Sequence, residues 1–182
     1  MEYNKITVID IECTCWKKSP QKENISISEI IEIGIAGLEI KTGRIIPQDQ
    51  NMYVHPKNSK VSEFCYNLTG ISQRTLDDSG IPFSVACNVL QNRFNSKSYV
   101  WASYGEYDKR IFNDQCSREN IHYPFGNKHI NVKTLFALKY KLDKEVGMAE
   151  ALKIAGIPLE GKHHSGKDDA YNIAKILREI LK

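Results

Sequence analysis

Asp10 and Glu12 stand two positions apart inside an apolar run, residues 5–14, KITVIDIECT. The run is rich in β-branched residues and reads as a buried central strand. Side chains alternate along a strand, so both carboxylates point to one face. Burial strips each of hydration, and each repels the other. A divalent cation between them removes both penalties. A solvated strand end is the other reading that this pair alone allows.

Asp108 offers a third acid. On a helix running from Tyr107, its face also carries Ile111, Phe112, Gln115 and Cys116. Asp108 is therefore expected on the core side, with Glu106 and Lys109 solvated elsewhere. An aspartate in a first turn also serves the helix dipole, so position alone does not decide its role.

The final segment, HHSGKDDAYNIAKILREIL, carries the fourth. Ser165-x-x-Asp168 has the form of a capping box. In that register Asp168 shares a face with Asn172, Lys175 and Glu179, expected on the solvent side, and has a structural role. Asp169 shares its face with Ile173, Ile176 and Ile180, the core side. His164 precedes the cap and Asp169 is the fourth helical residue, two positions that normally touch. Three separated segments thus each offer inward acids, and one adds a histidine. Together they favour a hydrolytic metal site.

The elements that must position these groups follow from patterning. After the first strand, residues 16–26 read as a loop and 28–40 as a second strand. Residues 41–43 form a turn into a third strand, 44–54, paired with the second as a hairpin. Short helical turns are expected over 62–68 and 72–78, and a helix over 82–95. A strand at 98–102 and a helix at 106–120 come next. Residues 130–140 read as an extended entry into a helix. Another helix, 148–156, stops at Gly156, and the last covers 166–181. There is no repeat, low-complexity tract or linker. This is one α/β domain, 1–182, with an early hairpin and later strand–helix alternation.

Composition agrees. The chain has 182 residues, 41% hydrophobic and 26% charged, ordinary for a globular protein. No apolar run could span a bilayer, and the N-terminus is no signal peptide. The expected location is the cytosol, with five cysteines read as reduced thiols. Cys13-x-Cys15 lacks a second pair at zinc spacing. A net charge of +3 fits a nucleic-acid partner without requiring one. His55, His122 and His129 lack companion carboxylates and read as surface or loop residues. Trp16 and Trp101 read as packing residues.

Asp10-Ile-Glu12, Asp108, and His164 five residues before Asp169 resemble the three motifs of the DEDDh exonucleases, the DnaQ-like superfamily. The segments 10–16, DIECTCW, 68–71, LTGI, 104–108, YGEYD, and the block 151–174 are similar to its RNA-processing subgroup. That subgroup includes histone-mRNA and small-interfering-RNA 3′ exonucleases and bacterial KapD-like proteins. The resemblance covers essentially the whole chain. It implies a ribonuclease H-like fold with a mixed central sheet, the first three strands antiparallel and the later ones parallel, flanked by helices.

The activity implied is removal of 5′-mononucleotides from single-stranded 3′ ends or overhangs, RNA in preference to DNA. Two ions, Mg²⁺ or Mn²⁺, about 4 Å apart would support in-line hydrolysis. The resemblance assigns Asp10 to bridge both, and Glu12 and Asp169 to the ion carrying the attacking water. Asp108 would bind directly or through water, and Glu12 would also meet the terminal 3′-OH. His164 would be the general base, with His163 its competitor. Backbone groups of Cys13 and Thr14, with Leu68, Thr69 and Tyr104, would hold the last nucleotide; core packing is the other reading of Leu68 and Tyr104. Tyr104 replaces a frequent family tryptophan, and no segment of residues 1–182 is expected to correspond to the accessory nucleic-acid-binding domain of the animal histone-mRNA enzymes. A DNA exonuclease, a ribonuclease H-type endonuclease and a KapD-like regulator are the competing functions. Oligomeric state is open.

Overall fold

The computed structural model describes residues 2–17, 28–47 and 49–182. The run bearing Asp10 and Glu12 forms β1 (Glu2–Cys13), paired antiparallel with β2 (Ile30–Glu39). In that register Asp10 lies opposite Gly34, and Glu12 opposite Glu32. On the other side β1 pairs parallel with β5 (Tyr99–Ser103), which pairs parallel with β6 (His129–Asn131). The hairpin strand expected at 44–54 is two short pieces, β3 (Ile45–Pro47) and β4 (Met52–Tyr53), both antiparallel to β2. Pro47 cannot donate to a ladder, and the chain bends at residues 49–50 before pairing resumes. The sheet order is β3-β2-β1-β5-β6, with β4 also on β2. Antiparallel strands early and parallel strands late match the expected mixed sheet. Most of the loop expected at 16–26 lies outside the described residues.

Both faces of the sheet are covered, and β1 and β2 accordingly carry apolar residues on both faces. Ile6, Val8, Ala36 and Leu38 pack against α5 (Val132–Lys139), α6 (Met148–Ile154) and α7 (Gly166–Ile180). Ile9, Ile11, Ile33 and Ile35 pack against α3 (Phe83–Asn92) and α4 (Tyr107–Glu119). By alternation, Asp10 and Glu12 lie on the α7 side, beyond Ile6 and Val8. Two short helices, α1 (Glu63–Thr69) and α2 (Gln73–Ser79), are each capped by a serine, Ser62 and Ser72. The helix expected to stop at Gly156 does so. Gly156 takes φ +66, and Ile157 N–H donates back to the Leu152 carbonyl.

One contact sets the position of α7. A Cβ on Gly34 would lie 1.7 Å from the Gly166 carbonyl oxygen. Strand β2 and the first turn of α7 therefore meet backbone to backbone, which only glycine at 34 permits. Gly34 is opposite Asp10, so the helix enters beside the carboxylates.

Two expectations are corrected. His129 is no surface residue: its side chain is 5% exposed, its ring lies against Trp101, and it pairs with Ser103 Oγ at 2.9 Å. Burial lowers its pKa to about 4. The face of α7 carrying Asn172 and Lys175 is not solvated either, since these residues are 0% and 3% exposed. The preceding loop folds over them. Asn172 bonds both backbone groups of Glu160, and the Lys175 ammonium meets the Pro158 carbonyl and Glu160. Among the described residues, no helix is long and apolar enough to cross a membrane.

Candidate active site

Three elements bring the predicted acids together. Strand β1 supplies Asp10 and Glu12, the first turn of α4 supplies Asp108, and the first turn of α7 supplies Asp169. One carboxylate oxygen from each of Asp10, Glu12 and Asp169 falls in a group whose members lie within 4.8 Å of one another. Asp108 completes the wall, its Oδ1 accepting from Ile11 N–H at 3.1 Å. Asp10, Glu12, Asp108, Asp169, Tyr104, Tyr107, Met148, His163 and His164 line one open cleft of about 260 Å³.

The electrostatics are those of a site built around positive charge. Burial, then Asp108, Asp169, Glu12 and Glu32, push Asp10 well above the usual carboxylate range. Burial, then Asp169, Glu32 and Asp108, push Glu12 up to about 8, with Lys162 pulling the other way. Burial raises Asp108 to about 6. Burial raises Asp169 too, against the opposing effect of the His164 N–H and the His163 ring. Clustered acids that cannot all ionise unaided suit a cation. Among the described residues, Oδ1 of Asp169 and Oε1 of Glu32 are buried with no hydrogen-bond partner. Such orphaned oxygens are costly unless a ligand claims them. An all-oxygen donor set fits a hard divalent ion.

The two histidines divide the tasks around Asp169. His163 Nδ1 lies 2.9 Å from Asp169 Oδ2, and the same oxygen accepts from the His164 backbone N–H at 2.9 Å. His164 takes φ +65, which turns its amide toward the aspartate while its ring stacks on His163, centroids 4.0 Å apart. The expected contact between His164 and Asp169 thus runs through the backbone, and the imidazole contact belongs to His163. The helix register is as expected, but Ser165 makes no side-chain cap. Asp168 instead accepts from Lys162 N–H at 2.8 Å. The first turn of α7 is capped across the sheet: Gly166 N–H donates to Glu32 Oε2 at 2.9 Å.

Glu32 was the residue that motif reading missed. Its signal is the same oddity that marks Glu12, an acid inside an apolar strand, but its role depends on a strand register and a helix contact 134 positions away.

The expected nucleotide pocket comes together only in part. Tyr104 lines the cleft, its hydroxyl donating to the Val146 carbonyl. Cys13, Thr14, Leu68 and Thr69 do not line that cleft. Thr14 is committed elsewhere: its N–H donates to the Glu29 carbonyl, and its hydroxyl joins Ser59 Oγ and Glu29 N–H. Thr69 Oγ1 donates to the Cys65 carbonyl and accepts from Ile71 N–H.

Comparison with known proteins identifies the family. An exonuclease family model, RNase T, matches residues 7–177. The chain is 29% identical over 201 residues to the 3′-5′ exonuclease Snipper of Drosophila melanogaster, covering 99% of this chain and 70% of that protein. It is 31% identical over 188 residues to 3′-5′ exoribonuclease 1 of Homo sapiens, covering 98% of this chain and 53% of the relative. The chain thus spans about half the length of that human relative. Among solved structures, the nuclease domain of 3′hExo, a DEDDh family member bound to rAMP, superposes with a TM-score of 0.82. That pair shares 30% identity over 98% of this chain and 92% of the other. With its acids on the same three elements that the sequence motifs mark, this chain belongs to the RNase T exonuclease family, in its DEDDh branch.

Proposed function

We propose that this protein is a 3′→5′ exoribonuclease that releases 5′-mononucleotides from single-stranded RNA ends or overhangs. The observation that carries the reading is the convergence of Asp10, Glu12 and Asp169 within 4.8 Å, with Asp108 beside them, in an open cleft edged by two histidines. The names of its relatives support RNA as the substrate.

Asp10, Glu12, Asp108 and Asp169 would hold a pair of divalent ions, Mg²⁺ or Mn²⁺ by donor type. When bound, the ions would activate water and offset charge on the leaving oxygen. The protein's own groups do the rest. His163 is tied by Nδ1 to Asp169 and orients that carboxylate. The ring of His164 carries no such bond and is available as the base. Burial, then His163, lower its pKa, so the imidazole is neutral and able to accept a proton at neutral pH. Tyr104 and Tyr107 present ring edges or faces on which a terminal base or sugar can pack. Five free cysteines support a reducing compartment, and we place the protein in the cytoplasm.

A time course on 5′-labelled single-stranded RNA and DNA of one sequence, with Mg²⁺, Mn²⁺ or EDTA, tests the proposal. A ladder shortening from the 3′ end, 5′-mononucleotide product and silence in EDTA are expected, with RNA the faster substrate. Faster loss of DNA would overturn the RNA assignment. Internal fragments would overturn exonuclease action.

A further inference from the structure

The cleft is acidic and its proposed substrate is an anion. Asp10, Glu12, Asp108 and Asp169 line it, and Glu32 stands opposite Glu12 on the neighbouring strand with Oε1 buried and without a hydrogen-bond partner. Two divalent ions would return four positive charges against these five acids. A phosphodiester then adds another negative charge. Binding it calls for a further cation close to Glu12 and His164.

Lys162 is in that position. It stands two residues before His164, which lines the cleft, and its charge favours the ionised form of Glu12. Its Nζ donates to the Thr69 carbonyl at 3.0 Å, across 93 positions. Gly70 turns the chain there at φ +80, a conformation that favours glycine, and Nζ packs against it. The backbone of Lys162 is pinned as well, by Asp168 at 2.8 Å. The ordinary role of such a contact is to cap the end of α1, where helical carbonyls lack partners. Capping uses one of three ammonium protons. Lys162 is exposed, so the others remain for an anion.

We propose that Lys162 is a phosphate-binding residue of the active site, gripping the RNA backbone beside Glu12 and His164 while it holds the Thr69–Gly70 turn in place. This rests on the nuclease reading of the cleft and names a residue that the acid motifs do not include.

The charge argument gives a test with two readouts of opposite sign. A Lys162→Met variant loses a cation that opposes metal ions and attracts phosphate. Its KM for single-stranded RNA should rise about tenfold, the scale of one hydrogen bond to a charged group. Its affinity for Mn²⁺ without RNA, measured by calorimetry, should stay equal or tighten. Lys162→Arg should restore most of the RNA affinity. If Lys162→Met weakens Mn²⁺ binding along with RNA, the residue only braces the fold, and the proposal fails. An unchanged KM also overturns it. Anisotropy of labelled RNA in Ca²⁺ reads binding without relying on turnover. If neither nucleic acid is cleaved yet Lys162→Met still weakens RNA binding, the activity is wrong and the phosphate site stands.

Discussion

Asp169 accepts two hydrogen bonds on one oxygen and none on the other. That asymmetry distinguishes the roles of the two histidines. His163→Ala removes the group that orients a proposed metal ligand, a change worth about ten- to a hundredfold in metal affinity. Excess metal should recover most of its rate. His164→Ala removes the proposed base and should lower single-turnover rates by about a hundredfold or more at any metal concentration. Metal titrations of both variants check this; rescue of His164→Ala by metal would exchange the assignments. The four acids that converge on the cleft were legible in the sequence because each lies on a helix or strand face that local periodicity defines. Asp108 shares its buried face with Phe112, Gln115 and Cys116, and Asp169 with Ile173 and Ile176, as expected. The contacts of the histidines were not legible, because a positive φ at His164 decides which group of the loop meets the carboxylate.

At the scale of elements, the site depends on where α7 enters. Gly34→Ala would drive a methyl group into the Gly166 carbonyl, and neither backbone can yield as a side chain would. We expect a loss of about 3 kcal/mol or more, read as a lower urea midpoint, and nuclease activity reduced further than folding alone explains. A Gly34→Ala protein of normal stability and activity would show that the helix is free to shift. Neither Gly34 nor Glu32 announces this junction in sequence, since register across strands is nonlocal. The same limit hid the burial of Asn172 and Lys175. A helical wheel places them on a polar face, and only the loop that folds over that face makes it interior. The third strand breaks for a local reason, Pro47, which cannot donate to the ladder.

At the scale of the molecule, the fold stores unfavourable ionisation. Glu12 is raised from 4.5 to about 8 and Asp108 from 3.8 to about 6. For an acid raised in the folded state, the folded form binds more protons than the unfolded one between the two pKa values. The stability contributed is complete below the unfolded pKa and is lost as pH rises through the folded one. The metal-free protein should therefore lose Tm between pH 5 and pH 8, by about 5 °C or more. Mg²⁺ or Mn²⁺ should flatten that slope, because bound cations favour the ionised acids. Scanning fluorimetry across pH in EDTA and in metal measures both. A flat profile in EDTA would mean that the acids are less desolvated than their burial indicates. The overall α/β plan, with early antiparallel and late parallel strands, was legible because runs such as those of β1 and β2 are long and apolar.

Glu32 faces two ways. One oxygen caps the first turn of α7 and the other lies buried with no partner beside the acids. Occupation of the cleft by a cation should therefore be recorded in the backbone of a helix. The amide of Gly166, held by Glu32, would then exchange with deuterium more slowly once the ions arrive. Loading of the cleft could thus be followed in real time at a peptide group that does not line it.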